Sequence, residues 1–374
     1  MATNTINENV EQAILDFGTI KQAIIDKGVE VPEGTPTSQY ATKIGEIQSG
    51  GSSSDDFKGM VERTATEVAL PSDCTKIGDY AFYHYSDLTS VNMPDSVTSI
   101  GTNAFYICTK LALISLPEGL NSIGSYAFRD CAKLALASLP DGITSIGQQA
   151  FYGCTSLALT SLPSGLTMIM LEAFENCSNL ALTSLPSGLT KIGSNAFNGC
   201  TSLALTSLPS GLTAIDYNAF SGCSNLALTS LPSGLTSISN SVFRGCTKLA
   251  LSSLPNGITS IGNNAFNSCT SLALTSIPSG VTSISDSAFG GCTSLALTSL
   301  PSRLSRIGEY AFRNCTNLTE ITFEGTPNYI SSDIFSNCTN LTTIRVPWNE
   351  GDKAGAPWGA SNATIVYNYT PETT

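Results

Sequence analysis

The stretch Cys200-Thr-Ser-Leu203-Ala-Leu205-Thr-Ser-Leu208-Pro209-Ser-Gly211-Leu212-Thr-Ala-Ile215-Asp-Tyr-Asn-Ala219-Phe220-Ser-Gly222 decides the architecture, because the chain repeats it. Phe stands at 82, 105, 128, 151, 174, 197, 220, 243, 266, 289, 312 and 335, a constant 23 residues apart. Pro keeps the same beat from Pro71 to Pro301, misses it at Glu324 and returns at Pro347. Cys fills one slot from Cys108 to Cys338 without a gap. Twelve units with no insertion send the chain along the same path each time. Stacked identical coils then bury one continuous core that no single unit could bury alone.

Within the quoted unit, Cys200, the four Leu, Ile215, Ala219 and Phe220 are the inward candidates. Leu203 and Leu205 are two apart, the spacing of a strand face. Pro209 has no N–H for a ladder and is expected to end that strand. Ser210-Gly211 turns the chain. Ala219-Phe220 plugs the coil from the opposite side on a short helical turn. Six such inward side chains, at about 1.5–3 kcal/mol each, give a gross burial of roughly 10 kcal/mol or more per coil. Chain entropy offsets most of it. The Thr row at 160, 183, 206, 229, 275 and 298 is read as solvated strand positions.

The pattern Cys-x-x-Leu…Leu-Pro-x-x-Leu-x-x-Ile-Gly-x-x-Ala-Phe resembles the BspA-like (Treponema pallidum type) leucine-rich repeat, over residues 65–347. The resemblance implies a leucine-rich-repeat solenoid: short parallel β-strands joined by turns or short helical turns, in 23-residue coils. It also implies a non-catalytic adhesion scaffold. The family's core spacing, Leu-x-x-Ile-x-Leu/Ile-Pro, stands as Leu88, Val91, Met93 in the first unit. It stands again as Leu318, Ile321, Phe323 and as Leu341, Ile344, Val346 in the last two. The middle units read Leu-Ala-Leu-Thr-Ser-Leu-Pro, which predicts a shortened or shifted concave strand there.

The ends differ from the array. In residues 1–50, Val10, Ala13, Phe17, Ile20 and Ile24 step by 3, 4, 3, 4. That is a heptad seam on a helix, an attachment or oligomer surface that Gly28 would end. Thr35-Pro36 opens a second helix carrying Tyr40, Ile44 and Ile47. A small α-helical N-terminal module is therefore expected, with 51–64 as a linker and 348–374 as a closing cap. Residues 20–44 resemble the N-terminal anchoring module of tailed-phage fibre and virion proteins. The segment from Val346 to Tyr367, with Trp348 and Trp358, resembles closing segments of the same proteins. The resemblance implies a virion-surface location, with partners among other virion proteins and a homo-oligomer, by fibre analogy a trimer. A cellular surface adhesin and a capsid-decorating spacer are the alternatives.

Composition narrows the partners. A formal net charge of -12 argues against nucleic acid and anionic membranes. Charged residues are only 12% of the chain, so Ser, Thr, Asn and Gly must wet its surface. The first residues carry neither a basic nor an apolar stretch, so no signal peptide is expected. No apolar run reaches the ~18–20 residues of a membrane span.

Chemistry is sparse. Eleven Cys in one slot, with Tyr85 filling it once, read as structural thiols, and Cys74 as a small apolar filler. With no Cys-x-x-Cys and no His cluster, no metal site is expected. His84 is the only His, so a catalytic triad is not expected, nor is any cofactor. The departures that stand out flank Ala-Phe: Tyr80, Tyr83, His84, Tyr106, Tyr126 and Tyr152 crowd the first four coils. Identical slots stack, so these side chains are expected to form one ridge. Such a ridge either contacts a host-surface glycan or protein, or packs against the N-terminal helices or a sister chain.

Overall fold

The computed structural model describes residues 65–70 and 72–370. The expected helices of residues 1–50, with the seam Val10, Ala13, Phe17, Ile20 and Ile24, and the linker 51–64 lie outside the described residues. The rest is a parallel β-solenoid. Its spine is a ladder of two-residue strands from Lys76–Ile77 to Tyr329–Ile330. Strands pair at an offset of 23 residues, as Ser99 with Ser122 and Ile100 with Ile123. Ile points inward, and its predecessor, most often Ser, Lys or Arg, points out. The β-branched side chain suits this half-buried pleat.

The ladder is interrupted twice, between Ile146 and Ile169 and between Ile215 and Ile238. In most coils the residue after Ile sends its N–H to the Ile carbonyl of the coil below, as Gly147 to Ile123 at 2.9 Å and Gly262 to Ile238 at 2.9 Å. That slot is most often Gly because the coils touch there: a Cβ on Gly147 would lie 2.4 Å from the Ser125 nitrogen. At the two interruptions the long Met170 overlies Gly147 and Ser239 overlies Asp216, two side chains in succession; Asp216, Ser285 and Ser331 each overlie a Gly and keep their bonds. Ser239 covers the lost bond with its hydroxyl, donating from Oγ to the Ile215 carbonyl at 2.6 Å.

The strand expected at Leu203 and Leu205 is not there. Among the described residues, strands of the other face occur only near the ends of the array: Glu67–Ala69 and Ser90–Asn92, then Ser299–Leu300, Glu320–Phe323, Thr343–Arg345 and Thr364–Val366. The reason lies in where the alternation begins. In Leu318-Thr-Glu-Ile321-Thr-Phe323 the in-out-in trio starts three residues after the turn and is free to ladder. In the middle coils the trio is Leu-Ala-Leu itself. Its first N–H is already spent on the turn, Leu203 to Cys200 at 3.1 Å. One bond per coil remains, such as Ala227 N–H to the Leu205 carbonyl at 3.0 Å. Pro209 therefore ends no strand; it opens the Pro-Ser-Gly-Leu turn closed by Leu212 N–H on its carbonyl at 3.2 Å. The Thr row is exposed as expected, but Thr160, Thr183, Thr206, Thr229, Thr275 and Thr298 lie outside strands.

No helix occurs among the described residues, so the helical turn expected at Ala-Phe is replaced by a chain of overlapping turns. Asn218 (φ 54°) and Gly222 (φ 74°) are left-handed, which no right-handed helix tolerates. Backbone donors alternate: Asn218, Phe220 and Gly222 give their N–H groups to the next coil, and Ala219, Ser221 and Cys223 bond three residues back. Asn, Gly and Ser fill the second of these slots in most coils and the first in half of them, which suits the conformation. Ile107 does not fit: a β-branched residue at φ 58°. Ile107→Gly is expected to stabilise the protein by about 1 kcal/mol, read as a raised midpoint in thermal unfolding.

Inside, the twelve Phe rings from Phe82 to Phe335 form one column. Neighbouring centroids are 5.1 Å apart at the start and 5.6 Å at the end, with near-parallel planes. Cys200, Leu203, Leu205, Leu212, Ile215, Ala219 and Phe220 are buried, with Leu208 half-buried. The thiols are free and serve the backbone. Phe197's carbonyl accepts the Cys200 N–H at 3.0 Å and the Cys223 thiol at 3.0 Å. Burial pushes the Cys200 and Cys223 thiols well above their ordinary range, with further upward pressure from the next thiol in each case, Cys223 and Cys246. They stay protonated and unreactive. At the far end Trp348 and Trp358 are buried against Phe323, at 5.3 and 5.7 Å between rings.

Candidate functional site

The turns around Phe carry two outward rows. Side chains one residue after Phe stack directly above one another, because every coil repeats the same turn. Tyr83 and Tyr106 lie face to face at 5.0 Å, with planes 12° apart. Arg129 follows in the same row. Its guanidinium is 5.7 Å from the Tyr106 ring centre and 4.4 Å from that of Tyr152. The result is a single-file stack, Tyr83-Tyr106-Arg129-Tyr152, along four coils. Cation–π contacts of this kind are worth about 0.5–2 kcal/mol each and hold the row rigid.

The other ridge residues join from neighbouring slots. Tyr80 sits edge-on to Tyr83 at 5.6 Å. His84 lies 4.4 Å from Tyr83 and 5.6 Å from Tyr106, ring to ring. Tyr126 enters through its hydroxyl, which accepts a hydrogen bond from Gln148 Nε2 at 2.8 Å. Tyr80, His84 and Tyr126 all occupy left-handed positions, with φ between 58° and 61°. Tyr80, Tyr83, His84 and Tyr106 thus lie in mutual contact and Tyr152 joins them through Arg129, whereas Tyr126 meets Gln148 and none of these rings. The structure adds Arg129, the link on which the row depends. Arg129 stands 23 residues after Tyr106 and 23 before Tyr152, so the period marked it, whereas a search for aromatics passed it over.

Arg129 is itself fixed on two sides. Its Nε lies 3.4 Å from Asp130 Oδ2, and a guanidinium N–H is donated to Gln149 Oε1. Beyond Tyr152 the row continues with Glu175, whose carboxyl is pushed up by partial burial and by the charge of Glu172. The Asn198 amide, donating to Glu175 Oε1 at 2.9 Å, and Arg129 pull it back.

Stacked rings spend their faces on one another. What the ridge offers outward is ring edges, phenol hydroxyls and guanidinium N–H groups on a rigid support. Among the described residues no three His, Cys, Asp or Glu side chains come together to hold a metal ion. No helix among them is long and apolar enough to cross a membrane. The arrangement is suited to contact, through hydrogen bonds and aromatic edges.

The comparisons agree with the repeat. The chain matches the family described as BspA type leucine rich repeat region, over residues 57–181, 123–250, 168–296 and 248–351. A leucine rich cell surface protein from Faecalibacterium prausnitzii is 29% identical with a TM-score of 0.55, covering 80% of this chain and 91% of that one. A leucine-rich repeat protein from Bacteroides ovatus is 29% identical with a TM-score of 0.46, covering 72% and 84%. The T. pallidum leucine rich repeat protein is 32% identical with a TM-score of 0.35, covering 49% and 77%. Among curated proteins none matches.

Proposed function

The chain belongs to the BspA type leucine rich repeat family, and from that premise we propose that it is a non-catalytic attachment protein, displayed at a surface, that grips a partner with its aromatic ridge. The observation that carries this is the Tyr83-Tyr106-Arg129-Tyr152 stack. These side chains are half-buried, and aromatic and Arg groups held in fixed rotamers give contact area at low entropic cost. The solenoid supplies reach: twelve coils at ~4.8 Å extend roughly 55–60 Å. The Faecalibacterium relative is described as a cell surface protein, which suits the same role. Since the ring faces are already engaged, the partner surface favoured for the ridge is a protein, which meets edges and hydroxyls with hydrogen bonds.

The test is adhesion of the labelled full chain to candidate host cells. Replacing Tyr106 and Tyr126 together by Ala is expected to cut retention at least tenfold, a loss of about 1.4 kcal/mol or more, and to leave the fold intact. Retention equal to that of the unmodified protein rules the ridge out as the contact.

A finer reading puts the protein on a phage virion, attached through residues 1–50 as a homo-oligomer. Two stretches favour it: Ile20 to Ile44, and the Val346 to Tyr367 closing segment, both resembling tailed-phage fibre proteins. Antibodies raised against the solenoid are then expected to label purified particles. Label confined to a bacterial envelope assigns the chain to a cellular adhesin instead.

A further inference from the structure

Away from the ridge, an open groove of about 580 Å³ is lined by Asp216, Tyr217, Ser237, Ser239, Asn240 and Ser260, among others. It lies at the second interruption of the Ile ladder. There Ser239 overlies Asp216, the coil-to-coil amide bond is missing, and a hydroxyl bond replaces it. The outward ladder positions beside the break are small, Ala214 below it and Ser237, Ser260 and Ser283 above, so nothing fills the opening.

Tyr217 stands at its wall. Its slot holds Gln148, Leu171 and Ser194 in the coils before and Asn240, Asn263 and Asp286 in the coils after; no other coil carries an aromatic residue there. Ser194 and Asn240, its immediate neighbours in the stack, are both small and polar. Tyr217 is 49% exposed, and its ring takes part in none of the aromatic pairs that tie the ridge together. An open ring face is therefore present here, unlike in the Tyr83-Tyr106-Arg129-Tyr152 stack.

Around that face the hydrogen-bonding groups are fixed. Asp216 is tied to Lys191, Oδ2 to Nζ at 3.0 Å, which orients the carboxylate and offsets its charge. Asn240 spends its oxygen on the Asn263 N–H at 2.8 Å, which leaves its amide donors for the groove. Serine hydroxyls both donate and accept. An aromatic face beside a carboxylate, an amide and several hydroxyls suits a ring that is apolar on its C–H face and hydroxylated at its rim. The local charge is compensated and the protein carries -12 overall, so an anionic ligand is disfavoured.

We propose that the Tyr217 groove is a binding site for a neutral saccharide, with Tyr217 as the stacking platform and Asp216, Asn240 and the serines taking the sugar hydroxyls. The proposal extends the non-catalytic binding role, but it uses none of the ridge residues, so the two stand or fall separately.

The experiment uses the full chain with maltotetraose, cellotetraose and chitotetraose, and with sialyllactose as the acidic control. Binding is read by saturation-transfer NMR and calorimetry. At least one neutral tetrasaccharide is expected to bind, and Tyr217→Asn, which installs the residue Asn240 and Asn263 carry in the same slot, to weaken it about tenfold. Ser239→Gly, which gives the ladder back its usual residue and narrows the groove, is expected to weaken it too. Tyr106→Ala is expected to leave it unchanged. Failure of all three neutral sugars to bind, a preference for sialyllactose, or undiminished binding by Tyr217→Asn overturns the proposal.

Discussion

Phe197→Ala is expected to cost about 3–5 kcal/mol and to split one unfolding transition into two. Phe197 is fully buried and lies between two other rings, 5.6 Å from Phe174 and 5.5 Å from Phe220. Removing its ring leaves a cavity that the rigid coils above and below cannot fill by moving inward. A solenoid is stabilised only by contacts between adjacent coils, so a lesion in the middle uncouples the two halves. Among the described residues Phe82 has one stacked Phe neighbour, Phe105 at 5.1 Å, so Phe82→Ala should cost less and fray one end. Urea unfolding followed by tryptophan fluorescence tests this well, because Trp348 and Trp358 both report on the far half alone. In Phe197→Ala the fluorescence transition should separate from the far-UV circular dichroism transition. Coincident transitions, with a loss under about 1 kcal/mol, would mean that the ring column is not what couples the coils.

The unequal legibility of this protein in its sequence has physical causes. The period and the inward set were readable because Cys, Ile, Ala and Phe hold their slots almost without exception, and a strict period has one solution. The location of the strands was not. Two residues, such as Ser145-Ile146, are too short to show an alternation, whereas Leu-Ala-Leu shows one but is pinned by the preceding turn. The replacement of a helical turn by left-handed turns was foreshadowed by composition. The slot of His84 otherwise holds Gly, Asn, Ser, Asp and Ile, the mark of a positive φ more than of exposure. The ridge was legible because stacking follows from periodicity alone. Arg129 was overlooked because its role comes from its slot and not from its residue type. The Tyr217 groove depends on Asp216 and Ser239 falling in consecutive coils, a coincidence visible only once the tight layer after Ile is known.

That layer also sets the second large effect: Gly147→Val is expected to destabilise the protein by about 3 kcal/mol. Gly147 lies outside the left-handed region, so the constraint on it is space and not conformation. A Cβ there would lie 2.4 Å from the Ser125 nitrogen and 2.6 Å from the Gly124 carbonyl carbon, backbone atoms that cannot rotate away. The chain shows what yields. Where Met170 overlies Gly147, the amide bond to Ile146 is gone and the ladder breaks; where Asp216 overlies Gly193, the bond to Ile192 survives at 2.9 Å. A side chain is thus tolerated singly, with loss of the bond or a small shift. A valine side chain at position 147 would sit between Gly124 and Met170 and put two bulky layers in succession. The Gly147 N–H bond to Ile123, 2.9 Å, should be lost, and the four-stranded run from Lys76–Ile77 to Ser145–Ile146 should shorten by one strand. Hydrogen exchange separates this from a general loss of stability. The amide of residue 147 should lose its protection under native conditions, while the amides of the distant ladder, such as Gly308, keep theirs. Retained protection at residue 147 would show that the coils can part without breaking the ladder, and the two natural interruptions would then need a cause other than crowding.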